Sequence, residues 1–270
     1  MSQNPHGDGA AADIVQTRRE GGVVIVTMNS PERRNAFSMP MRRALLATFD
    51  ELMQRDGDCR AIVLTGAGGH FCAGGDLSEM TSASPSLLAM RERIAFGVRV
   101  FRAIYTGPKP VVAAVEGSCI GAGMSLAAAC DVAIGARASK LACAFVKVGL
   151  LPDTGLLWTL PRKVGGAKAR ELMLSGAAFD GAEAARIGLF DETAAGGDVL
   201  AAAIERARQL SLFPPVTLAL LKASLVNGGN GIEDACRLET DLNPLTRQTR
   251  DHAEAVVAFM EKRTPVFTGN

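Results

Sequence analysis

The sequence predicts an α/β fold followed by a helical C-terminal region. Two patterns carry this. Through about residue 195, short apolar runs alternate with stretches of helical periodicity. Beyond about residue 197 only helical patterns remain. Nearly continuous apolar runs of four to eight residues read as strands buried on both faces. A third observation concerns what fills the core. Hydrophobic residues make up 48% of the 270-residue chain but aromatics only 5%, so Ala, Val, Leu and Gly must do the packing. Small residues let backbones approach one another and approach ligands.

Residues 1–13 are polar and rich in Gly and Ala and read as a disordered tail. The α/β core is assigned to 14–196 and the helical region to 197–270. The first strand is read at 22–28 (GVVIVTM). Ser38 can cap a helix over 39–54, where Leu45, Phe49 and Leu52 recur at helical spacing. A strand at 61–65 (AIVLT) follows. The next helix covers 86–105, with Ile94, Val98, Phe101 and Tyr105 on one face. Strands at 111–115 (VVAAV) and 131–135 (DVAIG) complete the alternation. Helices are then expected over 199–210, 215–226 and 232–263. Pro214 and Pro215 start the second of these cleanly. Asn243-Pro244 should break or kink the last, leaving Asp251 to cap a final helix.

Net charge is +1, which gives no field to hold nucleic acid or an anionic membrane. No nucleic-acid partner and no membrane are expected. No basic segment followed by an apolar run opens the chain. The longest apolar stretch, 119–130, contains Gly and Ser and is too short to span a bilayer. A cytoplasmic location is expected. The six cysteines (59, 72, 119, 130, 143 and 236) form no CxxC pair and read as buried, reduced thiols. Histidine occurs only at 6, 70 and 252, so no metal site is expected.

Two segments stand out. The strand at 61–65 runs into GAGGHFCAGGDL (66–77), and the strand at 111–115 into EGSCIGAGMSL (116–126). Both are Gly-rich loops at the carboxyl end of a buried strand, where open α/β sheets bind ligands. The second opens a helix, whose first N–H groups point outward and favour negative charge. Two such loops side by side can aim two N–H groups at one oxygen, an oxyanion hole, each donor worth roughly 3 kcal/mol of transition-state stabilisation. Read without further context, either loop is equally a plain turn. The GxGxxG reading of Gly121-Ala122-Gly123 fails because Leu126 stands at the third glycine position. No Walker A, GxSxG or HExxH motif is present.

Five segments carry a family likeness: 31–37 (PERRNAF), 71–77 (FCAGGDL), 116–123 (EGSCIGAG), 149–153 (GLLPD) and 258–267 (AFMEKRTPVF). In this order the chain resembles the enoyl-CoA hydratase/isomerase (crotonase) superfamily over almost its whole length. The resemblance implies a spiral of repeated ββα units with a helical C-terminal region. It implies homotrimers, often stacked as hexamers, and an acyl-CoA substrate. Coenzyme A would then be the carrier of the substrate, with no tightly bound cofactor. The family's oxyanion hole maps onto the N–H groups of Ala73 and Ala122, the second usually glycine in the family. Its CoA contacts map onto Arg34 and Ala36, onto Ala73, Gly74, Gly75 and Asp76, and onto Phe259 and Lys262 of a neighbouring copy.

The side chains above such a hole decide the reaction. Hydratases of the family use two glutamates, and the matching positions here are Ser125 and Phe145. Neither can exchange a proton near neutral pH. Asp153 matches the acid–base aspartate of several family isomerases. Its surroundings look most like the epoxyphenylacetyl-CoA isomerases of phenylacetate breakdown. One carboxylate suffices to move a double bond: it takes a proton at one carbon and returns it at another. The neighbours Leu150, Leu151, Leu156 and Leu157 are apolar, a setting suited to a group that shuttles a proton. The bland reading of Asp153 is a helix N-cap, since Pro-Asp-Thr-Gly before an apolar run is good capping chemistry. The expected activity is thus an acyl-CoA isomerase. An enoyl-CoA hydratase of fatty-acid β-oxidation and a non-catalytic CoA-thioester binder remain open. Cys72 beside His70 is a weak nucleophile candidate. His70 reads as a loop residue, Asp76 as a turn stabiliser, His252 as solvated, and Arg33 as surface or phosphate-facing, while Glu79 is a weak candidate for lining the acyl pocket.

Overall fold

The computed structural model describes residues 13–76, 86–195, 197–227 and 231–270. The tail reading (1–12) and the Glu79 reading fall outside the described residues.

A six-stranded sheet and a three-stranded sheet organise the chain. The large sheet contains β1 (Val15–Glu20), β2 (Val23–Met28), β3 (Ala61–Gly66), β4 (Val111–Val115), β6 (Val132–Ala136) and β9 (Glu192–Ala194), in the order β1-β2-β3-β4-β6-β9. β1 pairs antiparallel with β2, and every later pair is parallel. The small sheet joins β5 (Ser118–Ile120), β7 (Lys140–Ala142) and β8 (Ala178–Asp180). Two turns of the chain give one strand to each sheet. Thus β4 leads to β5 and then to a helix, and β6 leads to β7. Cys72 supplies the equivalent rung after β3, through a parallel bridge to Cys119 of β5.

The helices among the described residues are α1 (Met39–Gln54), α2 (Leu87–Tyr105), α3 (Ala122–Ala129), α4 (Leu156–Val164), α5 (Gly166–Ser175), α6 (Gly181–Arg186), α7 (Val199–Ser211), α8 (Pro215–Asn227), α9 (Ile232–Arg247) and α10 (Arg250–Glu261). Ser38 caps α1 and Ser86 caps α2, each accepting a backbone N–H into its hydroxyl. The central strands split their side chains between two cores, which is why they read as continuous apolar runs. Val24, Val26, Ile62, Leu64, Val111 and Ala113 face the main core with α1 and α3. Val23, Ile25, Ala61, Val63, Val112 and Ala114 face Val199, Ala203, Ile204 and Ala207 of α7. α7 therefore closes the second face of the large sheet.

Three local expectations change. α2 buries Gly97, Val100 and Ile104, whereas Ile94 and Val98 are exposed. Pro244 lies inside α9, and the break comes after Arg247. The cap of α10 is Thr249, whose hydroxyl accepts the His252 N–H at 3.1 Å. Asp251 is buried instead, accepting the backbone N–H groups of Thr268 and Gly269 at 2.7 and 2.8 Å. It fastens the C-terminal segment to α10. No single described helix is long and apolar enough to cross a membrane.

Candidate active site

The two Gly-rich loops meet. Cys72 accepts from the Ile120 N–H at 3.0 Å and donates to the Ser118 carbonyl at 2.8 Å, and Phe71 donates to the Glu116 carbonyl at 2.8 Å. His70 adds a side-chain stitch, its Nδ1 accepting the Ser118 N–H at 3.1 Å. His70 thus ties one loop to the other rather than standing on the surface. Glycines make the approach possible. A Cβ on Gly117 would lie 2.2 Å from the Gly69 carbonyl oxygen, and one on Gly123 would lie 2.3 Å from that of Cys72.

α3 starts where the second loop ends. Gly121, at φ +52°, is its N-cap and Ala122 its first residue. The Ala122 N–H has no intrahelical acceptor, so it is a donor at the positive end of the helix. The first loop is different from the expectation. The Ala73 N–H is already engaged, donating to the Arg34 carbonyl at 3.0 Å. Gly74 turns the chain at φ +99°, packed against Ile120, and its carbonyl accepts the Phe37 N–H at 2.7 Å. The N–H groups of Gly74 and Gly75 have no acceptor among the described residues.

One buried side chain that joins the first Gly-rich loop to its neighbour was given no role by sequence reasoning. Asn35 is fully buried, with φ +56°. Its Oδ1 accepts the Ser30 N–H at 2.9 Å, and its Nδ2 donates to the carbonyls of Ala67 and His70 at 2.9 and 2.6 Å. It holds the 30–35 loop against the first Gly-rich loop, and so places the Arg34 carbonyl. The available signal was asparagine's tolerance of left-handed backbone. Arg34, at φ +49°, is exposed, and Ala36 is half-buried beside it. Arg33 pairs with the buried Asp76 at 2.8 Å, a link between the same two loops.

Asp153 comes to the same place through α3. The Ser125 hydroxyl, one turn along from Ala122, donates to the Asp153 main-chain carbonyl at 3.0 Å. The Asp153 carboxylate does not cap α4, whose N-cap is Gly155 with no side-chain bond. Oδ1 instead accepts the Thr154 hydroxyl at 3.0 Å. Of its apolar neighbours only Leu156 is buried, and Leu150, Leu151 and Leu157 are exposed in this chain. Phe145 is buried, and its ring lies 3.9 Å from where a Cβ of Gly121 would stand. It forms an apolar wall beside the start of α3.

Other candidates separate from the site. Cys72 is fully buried, and burial pushes its thiol up to about 11, so it is no nucleophile near neutral pH. Cys59 and Cys143 are pushed up to about 11 and Cys130 to about 12 by the same cause, and Cys119 is raised as well. Cys236 alone of the six is exposed. Phe259 and Lys262 are exposed at the end of α10, where Lys262 closes the helix at φ +56°. No group of three or more His, Cys, Asp or Glu that could hold a metal occurs among the described residues.

The model of the enoyl-CoA hydratase/isomerase family matches residues 18–270. The chain belongs to this family. A 1,2-epoxyphenylacetyl-CoA isomerase from Escherichia coli (strain K12) is 37% identical over 262 residues, covering 95% of this chain and 99% of the relative. A Rhodobacter capsulatus protein named "Probable enoyl-CoA hydratase" is 38% identical over 250 residues, covering 92% and 95%. The crystal structure of an enoyl-CoA hydratase from Polaromonas sp. JS666 superposes with a TM-score of 0.89 at 32% identity, covering 94% of this chain and 99% of that one. The architecture is the crotonase fold, and the chain is an enzyme of the hydratase/isomerase family, near the epoxyphenylacetyl-CoA isomerase branch. Family membership implies a CoA thioester as substrate.

Proposed function

We propose that this enzyme is an acyl-CoA isomerase in which Asp153 is the acid and base. The observation that carries the reading is the set of side chains around α3. Ser125 and Phe145 flank its start, and neither serves as an acid or base near neutral pH. The Ser125 hydroxyl holds the Asp153 main chain against that helix, and Asp153 carries a carboxyl.

The thioester carbonyl oxygen takes hydrogen bonds from the Ala122 N–H and from an N–H of the Gly74-Gly75 segment. These donors stabilise the charge that develops when the α proton leaves. For a 3-enoyl thioester, the Asp153 carboxylate takes that proton and a dienolate forms in the hole. The same carboxyl returns the proton at the γ carbon, leaving a 2-enoyl thioester with no net change in atoms. The CoA moiety runs past Arg34, Ala36 and the 73–76 segment, with Phe259 and Lys262 of a neighbouring copy completing its site. Assembly as trimers, or hexamers of stacked trimers, accounts for a helix with no buried residue, α9. It also accounts for the groove of about 480 Å³ between α8 and α9, lined by Leu220, Leu221, Leu225, Leu238 and Leu242.

The test is turnover of 3-enoyl-CoA, 2-enoyl-CoA and 1,2-epoxyphenylacetyl-CoA by wild type and Asp153→Asn. Conversion of the 3-enoyl or epoxide substrate by wild type alone supports the assignment. Hydration of 2-enoyl-CoA that survives Asp153→Asn overturns it in favour of a hydratase using another acid. Binding of all three esters without turnover indicates a non-catalytic binder.

A further inference from the structure

The residue after Asp153 is an unusual choice. Thr154 has φ +53°, a left-handed conformation that β-branched side chains rarely adopt. It is only 1% exposed. Gly155 follows at φ +81°, so two successive left-handed residues turn the chain before α4. Glycine or asparagine would occupy the first of these positions with less strain. What threonine adds is a hydroxyl, and that hydroxyl donates to Asp153 Oδ1 at 3.0 Å.

The surroundings hold Thr154 in place. A Cβ on Gly97 of α2 would lie 2.7 Å from Thr154 Oγ1 and 2.6 Å from Arg42 Nη1, so a helix without a side chain there is what leaves room. A Cβ on Gly155 would lie 2.4 Å from the Phe101 ring of the same helix. From the other side, the Ser125 hydroxyl holds the Asp153 main chain at 3.0 Å. Main chain and one carboxylate oxygen are thus both fixed. Oδ2 has no partner among the described residues.

We infer that Thr154 is a positioning residue whose hydroxyl pins Asp153 Oδ1, leaving Oδ2 as the oxygen that exchanges the proton with substrate. The inference rests on the acid–base role of Asp153 proposed above. A hydroxyl has one proton to give, and given to Oδ1 it fixes the carboxylate plane. The strain at Thr154 is then retained because the hydrogen bond orients the base.

The experiment compares Thr154→Val, Thr154→Gly and Thr154→Ser with wild type and Asp153→Asn. The readouts are kcat and KM on 3-enoyl-CoA, uptake of solvent deuterium at the α carbon, and thermal stability. Thr154→Val is expected to lower kcat and deuterium uptake about 10- to 100-fold with KM little changed. Thr154→Ser keeps the hydroxyl and is expected to restore most of both. Thr154→Gly removes hydroxyl and strain together, so it is expected to fold well and still be slow. Full kcat in Thr154→Val or Thr154→Gly, with Asp153→Asn inactive, overturns the role of Thr154 and leaves Asp153 in place. Equal losses in Thr154→Ser and Thr154→Val, tracking their stability, reduce Thr154 to packing. Activity retained in Asp153→Asn, or no turnover by wild type, overturns both readings.

Discussion

Gly123→Ala tests whether the two loops must touch for the site to work. Gly123 is the second residue of α3, and its Cα backs onto the first loop. An added Cβ would lie 2.3 Å from the Cys72 carbonyl oxygen, 2.9 Å from its Cβ and 3.0 Å from its carbonyl carbon. Cys72 cannot give way freely, because that same oxygen accepts the Ile120 N–H and its own N–H is held by Ser118. Reaching an ordinary contact requires the loops to part by about 1 Å. Overpacking of this kind costs about 1–3 kcal/mol, and alanine's better helix propensity offsets up to about 1 kcal/mol. The net loss of about 1–2 kcal/mol lowers Tm by about 3–6 °C. The effect on activity should be larger. A misplacement of about 1 Å between the donors on the two loops can cost about 100-fold in rate. The assay is kcat/KM on the best CoA thioester, with Tm by calorimetry. Gly166→Ala is the control, since a Cβ there meets nothing within 4 Å. A Gly123→Ala enzyme within threefold of wild type and with unchanged Tm would refute the claim that contact between the loops sets the donor geometry.

Two further perturbations probe the scaffold. Lys222 is the buried residue of α8, 8% exposed, and its ammonium pairs with Asp131 Oδ2 and donates to the Lys109 carbonyl at 2.9 Å. Lys222→Ala removes the counter-charge of Asp131, whose carboxylate keeps only the Val111 N–H, at 2.7 Å, among the described residues, so urea denaturation should show a loss of about 2–3 kcal/mol, at or below the low end for a buried pair because the Asp131 side chain is 29% exposed. A loss under about 0.5 kcal/mol would show that the pair does not fasten α8. Thiol titration with a disulfide reagent at pH 8 should find at most one reactive cysteine per native chain, Cys236, which lies on α9 and reacts only where assembly leaves that helix uncovered, and six after denaturation. The sign follows from burial: thiols raised to about 11 and about 12 stay protonated, and so unreactive, at pH 8. Fast reaction of a second native thiol would contradict the buried assignment.

The central strands and first helices could be read from sequence because their determinants are local. The strands at 23–28, 61–66 and 111–115 are apolar at consecutive positions, and Ser38 and Ser86 are good caps. The small sheet was invisible for the opposite reason. β5, β7 and β8 have three residues each, too few for a pattern, and exist because of partners far along the chain. β1 was missed because its sequence VQTRRE is mostly exposed at the sheet edge and carries no apolar run. The buried face of α2 was misassigned because Gly97, at its centre, is chosen for its lack of a side chain, which a search for apolar periodicity passes over. At Asp251, capping chemistry was read from the residue type. Thr249, two residues earlier, holds that position and frees Asp251 to bind the chain terminus.

The candidate site shows the same division within a few residues. That two Gly-rich loops would form a donor pair follows from the strand ends that carry them. Which N–H of the first loop is available does not follow from that loop at all. It depends on the Arg34 carbonyl, 39 positions before Ala73, which accepts the Ala73 N–H. That carbonyl is placed in turn by two left-handed residues, Arg34 and Asn35, and by the three bonds of the buried Asn35 side chain. Asn35 touches none of the groups proposed to meet the reacting atoms. Yet replacing it would unsatisfy backbone groups on the 30–35 loop and the first Gly-rich loop at once and release the Arg34 carbonyl. A site whose working parts are main-chain N–H groups is set by whatever fixes the main chain, and here that is one buried amide.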